Sequence, residues 1–482
     1  MNLIAAFLET AQRNGQRTAI VSGRGEAISF DALAIRSGRL AASWQRDGIK
    51  AGDRVLLAMP VGIALYTAIA ALWRLGATII FPEPAMGLAG IRHAVAIATP
   101  DALLVTGVYR ILPLLLPDLW PLRRLDIDGD LAGDPIAALA DDHPALISFT
   151  SGSTGRPKAI VRSHGFLAAQ NAALRDLIAP RRDDETDLVA FPVFVIANLA
   201  LGTTSVLPNW RLSRHDRADA SAIASHLAAH KVTRALVPPA ICEVLADGPM
   251  PAALDAVFTG GGPVFPDLLE RLSHTLPTTM IVTVYGSTEA EPIAHQAMAD
   301  ISAEQWARMR GGGGLLAGRP VPGLGLRIID DEIVVSGTHV NKGYLGGKGD
   351  AANKVTIDGE VWHRTGDAGA LDETGHLWLR GRLSGRAGNH YPFDVEIAAR
   401  SWPGVSRAAL VPGSVPPIVV LEGREPSVGE WQRYAAATAN VEVIKRTIPL
   451  DRRHRSKVDQ HALAKLVSKE IALQGANPNA DG

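Results

Sequence analysis

Cysteine is almost absent: Cys242 is the one thiol among 482 residues. That excludes an internal disulfide and a cysteine-built zinc cluster, and it fits a reducing compartment. Neither sign of charge is in excess. Lysine plus arginine number 48 and aspartate plus glutamate 49, a formal net charge of -1. Nothing therefore draws the chain as a whole toward nucleic acid or an anionic membrane. Long hydrophobic runs are missing too. The most apolar stretch, residues 61–73, is shorter than the roughly 20 residues of a membrane span and is expected to be a buried helix. The opening MNLIAAFLET lacks a basic region before its apolar run, so no signal peptide and a cytoplasmic location are expected. No Gly-x-Ser-x-Gly elbow and no internal repeat occurs, which weakens a serine-hydrolase reading.

What is present is core-forming material. Hydrophobic residues make up 47% and charged residues 20%, a composition that argues against disorder. The length suggests two or three domains. Strand-like segments (53–59, 77–81, 102–106, 145–149, 255–258, 280–284) alternate with helix-like ones (63–75, 87–98, and from 266). Apolar runs of this length between helices predict parallel strands covered on both faces. Three of these strands run into polar or glycine-rich loops, expected to gather at one edge of a sheet, where α/β folds bind ligands. From about residue 315 to 380, short β-like pieces alternate with glycine turns and predict a small β-rich subdomain. Residues 383–390 form the linker candidate, and a compact C-terminal domain is expected over 391–474. Its last element is a helix from Asp459 with Ala462, Leu463, Leu466, Val467 and Ile471 on one face. The tail, 475–482, is expected to be disordered.

The first loop is TSGSTGRPK. Thr150, Ser151, Ser153 and Thr154 offer hydroxyls, and Gly152 and Gly155 free backbone N–H groups to form an anion-binding concavity. Lys158 adds a point charge suited to phosphate. The lysine spacing is not that of the common P-loop. The second loop holds Gly260, Gly261, Gly262 and Pro263. In the third, Tyr285 offers a ring for stacking on a base, Gly286 and Ser287 follow, Thr288 can donate to phosphate, and Glu289 can hold Mg²⁺ through oxygen. Asp367, after Thr365-Gly366, can accept from two ribose hydroxyls, although Gly-Asp alone favours an ordinary hairpin turn. The run 451–457 is basic, and one of its cations could neutralise developing phosphate charge. His226 and His230 have metal-pair spacing but no third ligand, so an exposed helix face is expected instead. No strand precedes the run Gly311 to Gly314, which argues against a dinucleotide site.

In this order the motifs resemble those of the adenylate-forming superfamily of acyl-CoA synthetases, peptide-synthetase adenylation domains and luciferases. TSGSTGRPK is similar to its phosphate loop, TGGGP to its adenine-side segment, YGSTE to its adenine and Mg²⁺ motif, HRTGD to its ribose motif and Gly381-Arg382 to its hinge. GRPVPG and NKGYLG fall where the family has similar sequences. The resemblance implies a large N-terminal AMP-binding domain (1–382) of layered α/β sheets with the β-rich subdomain. It also implies a hinge and a small mobile α+β C-terminal lid. It implies ATP and Mg²⁺ as cofactors and a small carboxylic acid as substrate. Lys457, Thr288 and Arg382 would be catalytic, Asp367 would take the ribose, and Glu289 and Thr154 would hold the metal. Phe194, Val195, Gly262 and Gly286 would line the acid pocket.

Two stretches depart from the CoA-ligase pattern. GRLSGRAGNHYPFDVE places Ser384 where a hinge aspartate is common and is about four residues short before Pro392. FPVFVIANLALG lacks a histidine common near Phe194. Both, with IPLDRRHRSKVD, are similar to the β-lactone synthetases of long-chain olefin biosynthesis, which cyclise an adenylated β-hydroxy acid without CoA. Acyl transfer to CoA or to a carrier protein, and an idle nucleotide-binding protein, stand as the alternatives.

Overall fold

A computed structural model describes residues 2–82, 86–150, 157–212, 217–249, 254–450 and 457–475. The strands expected in the first half form, but they divide between two sheets. One has six strands among the described residues. Its strands Arg54–Ala58, Thr78–Phe81, Ala102–Val105 and Pro144–Thr150 run parallel, and Lys158–Ser163 closes one edge as an antiparallel partner of Pro144–Thr150. In the other sheet Thr186–Val189, Arg234–Val237, Ala256–Gly260 and Met280–Ser287 run parallel, and Ala290–Ala297 turns back antiparallel. The loops therefore do not gather at the edge of one sheet. They come from two sheets that face each other.

The two-residue period of a strand explains why both sheets are covered on both sides. Val55 and Leu57 point into a central core with Ile79, Ala102 and Ala145, and that core also takes Leu236, Phe258 and Val282 from the second sheet. Helices Ile4–Asn14, Phe30–Arg46, Ile63–Arg74 and Pro192–Leu201 fill the space between. Leu56, Ile80 and Leu103 point the other way, under helix Gly87–Ala98. Ala235, Val257 and Ile281 pack outward beneath Pro239–Ala246 and Pro266–Thr275. The result is five alternating layers of helices and sheets.

The β-rich stretch after residue 315 is joined to the larger sheet through Ala294↔Pro320 and His295↔Arg319. Beyond it, helix Pro392–Arg400 packs on both lobes. Ile397 sits with Leu316 and Trp378, while Val395 and Ala399 enter the C-terminal core with Trp402, Leu421 and Trp431. Two bidentate pairs hold this helix to the larger lobe. Arg400 reaches Asp267 at 2.6 and 2.9 Å, and Asp394 accepts from Arg380 at 2.6 and 3.0 Å. The C-terminal lobe is a three-stranded sheet with helices Glu430–Thr438 and Gln460–Gly475. Leu463 and Val467 of the last helix are buried as expected, with Leu466 against them. The Ile471 side chain and residues 476–482 lie outside the described residues.

His226 is not on an exposed face. It is buried, and its Nε2 lies 3.0 Å from the Leu207 carbonyl. No cluster of metal-ligating side chains occurs among the described residues. Nor is any described helix long and apolar enough to cross a membrane.

One buried ion pair stitches adjacent parallel strands of the larger sheet. Arg234 grips Asp187 at 2.7 and 2.9 Å, and Asn198 donates to the same carboxylate at 3.0 Å. Removing one partner leaves a buried charge uncompensated, which costs about 3–5 kcal/mol. Asp187→Ala is therefore expected to lower the unfolding free energy of the larger lobe by that margin, measured by urea titration followed by tryptophan fluorescence.

Candidate active site

Strand ends from both sheets, the β-rich stretch and the C-terminal lobe converge on one continuous cleft of about 2760 Å³. Thr150 and Lys158 line it from the smaller sheet, Gly261 to Pro263 and Tyr285 to Glu289 from the larger, and Asp367, Arg382 and Lys457 from the segments beyond. Ser151, Gly152, Ser153, Thr154 and Gly155 lie outside the described residues, as does the basic run up to Ser456.

Asp367 is the meeting point. It lies inside strand Glu360–Leu371, opposite Arg382, and not in a hairpin turn. Tyr285 donates its hydroxyl to Oδ2 at 2.8 Å, and Arg382 Nε approaches Oδ1 at 3.1 Å. Burial and the Asp367 charge push the Tyr285 phenol well above its ordinary range, so it stays a donor. Asp367 raises the Arg382 guanidinium further. Gly366 supplies the positive φ of 72° that bends the backbone here. Its N–H is received at 2.9 Å by the buried Glu332, which also pairs with Arg364.

Glu289 lies in a second polar group. The Tyr344 hydroxyl donates to it at 2.8 Å, and the ammonium groups of Lys158 and Lys354 each stand 5.2 Å from the Tyr344 ring centre. Lys354 donates to the Asn341 carbonyl and lies 3.3 Å from His363 Nδ1. Desolvation drives Lys354 down to about 8 and His363 down to about 4. On the other side the buried Arg162 donates to the Thr288 carbonyl at 2.6 Å and faces the charge of the half-buried Glu291. Sequence reasoning assigned no role to Tyr344, Lys354, Arg162 or Glu291. The Tyr344 segment, NKGYLG, was the one available signal; the others are single charges inside strands without a motif.

The four residues expected to line the acid pocket separate. Gly262 and Gly286 line the cleft. Phe194 and Val195 do not; both are buried in the central core. The wall is made instead by Phe191, Val193 and Ile196. The helix starts at Pro192, and its turn puts residues 193 and 196 on one face. Opposite stand Tyr66, Ile69 and Trp73, so this arm of the cleft is apolar. Gly260 is a close-packing position: a Cβ there would lie 2.3 Å from the Val284 carbonyl oxygen. The next residue, Gly261, lines the cleft with a φ of +75°.

The segment between Arg382 and Pro392 is tied to itself and to its neighbours. Leu383 and Ser384 line the cleft beside Asp367 and Lys457. Ala387 and His390 exchange two backbone hydrogen bonds of 3.0 Å, and Gly413 N–H reaches the Arg386 carbonyl at 2.9 Å. A Cβ on Gly385 would meet Pro392 at 2.7 Å.

Residues 7–345 match the family described as AMP-binding enzyme. The chain is 29% identical to an olefin β-lactone synthetase of Xanthomonas campestris pv. campestris, over 96% of this chain and 97% of the relative. It is also 29% identical to a feruloyl-CoA synthase of Amycolatopsis, over 83% of each. The structure is similar to O-succinylbenzoate coenzyme A synthetase of Bacillus subtilis in complex with ATP and magnesium ion. That match has a TM-score of 0.77 and 21% identity, covering 95% of this chain and 98% of the other.

The Lys354 ammonium has a measurable signature. Its folded value, about 8, lies below the free-lysine value of 10.5. The unfolded chain thus binds more protons between those values, and stability should rise with pH across that window. Lys354→Met is expected to flatten the rise, read as urea midpoints against pH.

Proposed function

The chain belongs to the AMP-binding enzyme family and is an adenylate-forming ligase, and on that premise we propose that it activates a β-hydroxy fatty acid and closes it to a β-lactone. When bound, ATP supplies an electrophilic α-phosphorus and a pyrophosphate leaving group. The residues present suit that ligand. Asp367, fixed by Tyr285 and Arg382, is an acceptor pair for vicinal ribose hydroxyls. Ser287 Oγ, buried at the cleft wall, has no partner among the described residues, and a polar ligand would satisfy it. Glu289, with Thr154, would hold Mg²⁺, and Lys158 would face the β- and γ-phosphates. The apolar arm at Phe191, Val193 and Ile196 would take the acyl chain.

In the first step a carboxylate oxygen bonds to the α-phosphorus and pyrophosphate leaves. Both reactants are anionic, so Lys457 and Arg382 at this cleft would supply the positive charge the transition state needs. In the second, the β-hydroxyl oxygen bonds to the acyl carbon, its proton passes to solvent, and the bond to AMP breaks.

The tied hinge is the observation that carries the choice of acceptor. Between Arg382 and Pro392 the chain turns tightly on itself and packs on Pro392, which leaves no spare loop to line a thiol tunnel. An intramolecular hydroxyl needs none. The near full-length match to the β-lactone synthetase supports the same reading.

With Mg·ATP and β-hydroxy acids of graded chain length, the β-lactone and AMP should appear without CoA, followed by mass spectrometry. A thioester formed only when CoA or a phosphopantetheinylated carrier is added would refute the lactone step. Lys457→Ala should cut ATP–pyrophosphate exchange by orders of magnitude while largely sparing ATP affinity. Equal losses in affinity and rate would make Lys457 a binding residue.

A further inference from the structure

Fourteen large hydrophobic side chains are exposed among the described residues, and five of them fall between Val108 and Trp120. The segment forms short helical turns, Gly107–Ile111, Leu112–Leu115 and Pro117–Leu119. Leu112, Leu116 and Leu119 anchor it to the core beneath helix Gly87–Ala98. Around those anchors five apolar side chains face water. Val108 and Leu114 are each 78% exposed and Trp120 64%, with Ile111 and Leu115 beside them. Trp120 is held over the turn by its Nε1, which donates to the Pro113 carbonyl at 2.6 Å. Exposed apolar side chains gathered in one short segment mark an interaction site.

Its charge is also distinctive. Between residues 107 and 124 the chain carries three arginines and one aspartate. The aspartate, Asp118, is paired with Arg92 from the neighbouring helix at 3.3 Å. Arg110 and Arg124 are exposed and form no ion pair among the described residues. The patch adjoins the cleft: Gly107, Val108 and Tyr109 line its rim together with Val61 and Gly62. A Cβ on Gly107 would touch Pro60 at 2.9 Å, so the two rim segments are packed together.

We propose that this face docks on an anionic lipid bilayer, with the apolar side chains in the acyl boundary, Arg110 and Arg124 at the headgroups, and the cleft rim at the membrane surface. Aliphatic side chains, a tryptophan and flanking arginines are what an interfacial segment needs. Arginines without an ion-pair partner complement anionic headgroups. A second copy of the chain is a poorer occupant, because a two-fold contact would bring the same arginines face to face. Docking would let an amphipathic acid pass from bilayer to cleft without crossing water, a consequence that rests on the proposed function. The docking itself does not.

Co-sedimentation of the full chain with vesicles tests this. The wild type should pellet with phosphatidylcholine–phosphatidylglycerol vesicles and bind roughly 10-fold or more weakly to phosphatidylcholine alone. Ile111→Ser with Leu114→Ser should weaken binding to the mixed vesicles by at least about 10-fold. Arg110→Gln with Arg124→Gln should erase the preference for anionic lipid and its salt dependence. Both variants should keep wild-type ATP–pyrophosphate exchange with a short, soluble acid and no vesicles. That arm separates failure of docking from failure of the adenylation reading. The proposal is overturned if the wild type stays in the supernatant with both vesicles, or if the serine variant binds as well as the wild type. It is equally overturned if sedimentation velocity shows a dimer that the serine variant abolishes.

Discussion

The Asp367 carboxylate is the contact on which the rest of the cleft depends. It takes one hydrogen bond from Tyr285 and one charged contact from Arg382, and so joins the large sheet to two strands of the β-rich stretch at one atom group. A half-buried carboxylate with both partners supplied is stable where an isolated one would not be. The same arrangement leaves it pointed into the cleft. Glu332 adds a second constraint by holding the Gly366 N–H and Arg364, so the bend that presents Asp367 cannot relax.

Around that point the architecture is a matter of opposed surfaces. Two sheets share one apolar core, and their strand ends meet across the cleft. The third wall is the C-terminal lobe, seated through the Arg400–Asp267 and Arg380–Asp394 pairs. Beside these polar pairs a small apolar cluster crosses the boundary, where Ile397 meets Leu316 and Trp378, separate from the central core. Lys457 reaches the cleft because the lobe is seated in this way.

Much of the layout was legible in the chain. Helix 63–75, helix 87–98 and the parallel strands were readable because apolar runs of strand length alternate with helical ones, and burial on both faces requires that pattern. The strand-end loops holding Gly262, Tyr285 and Glu289 were legible for the same reason. The division into two sheets was not, since strand pairing is a long-range choice that local periodicity leaves open. Asp367 looked like a hairpin turn because Gly-Asp is common there; its place inside a strand follows from pairing with Arg382. Phe194 and Val195 looked like pocket residues, but the helix starting at Pro192 turns Val193 and Ile196 to the cleft instead. Lys354 and Arg162 carried no motif, and their closeness to Tyr344 and Thr288 arises only on folding.

The sequence by itself determined the chemistry available. It set the order of the glycine- and hydroxyl-rich loops, the acidic and basic residues at their ends, and membership in a family recognisable over residues 7–345. Only the tertiary structure decided which of those groups share a space. Tyr285, Asp367 and Arg382 are separated by up to 97 residues of chain and meet within hydrogen-bonding distance. The reason is physical: loop chemistry is local and can be read in place, whereas a site is assembled by packing two sheets on one core, and that depends on every apolar contact between them.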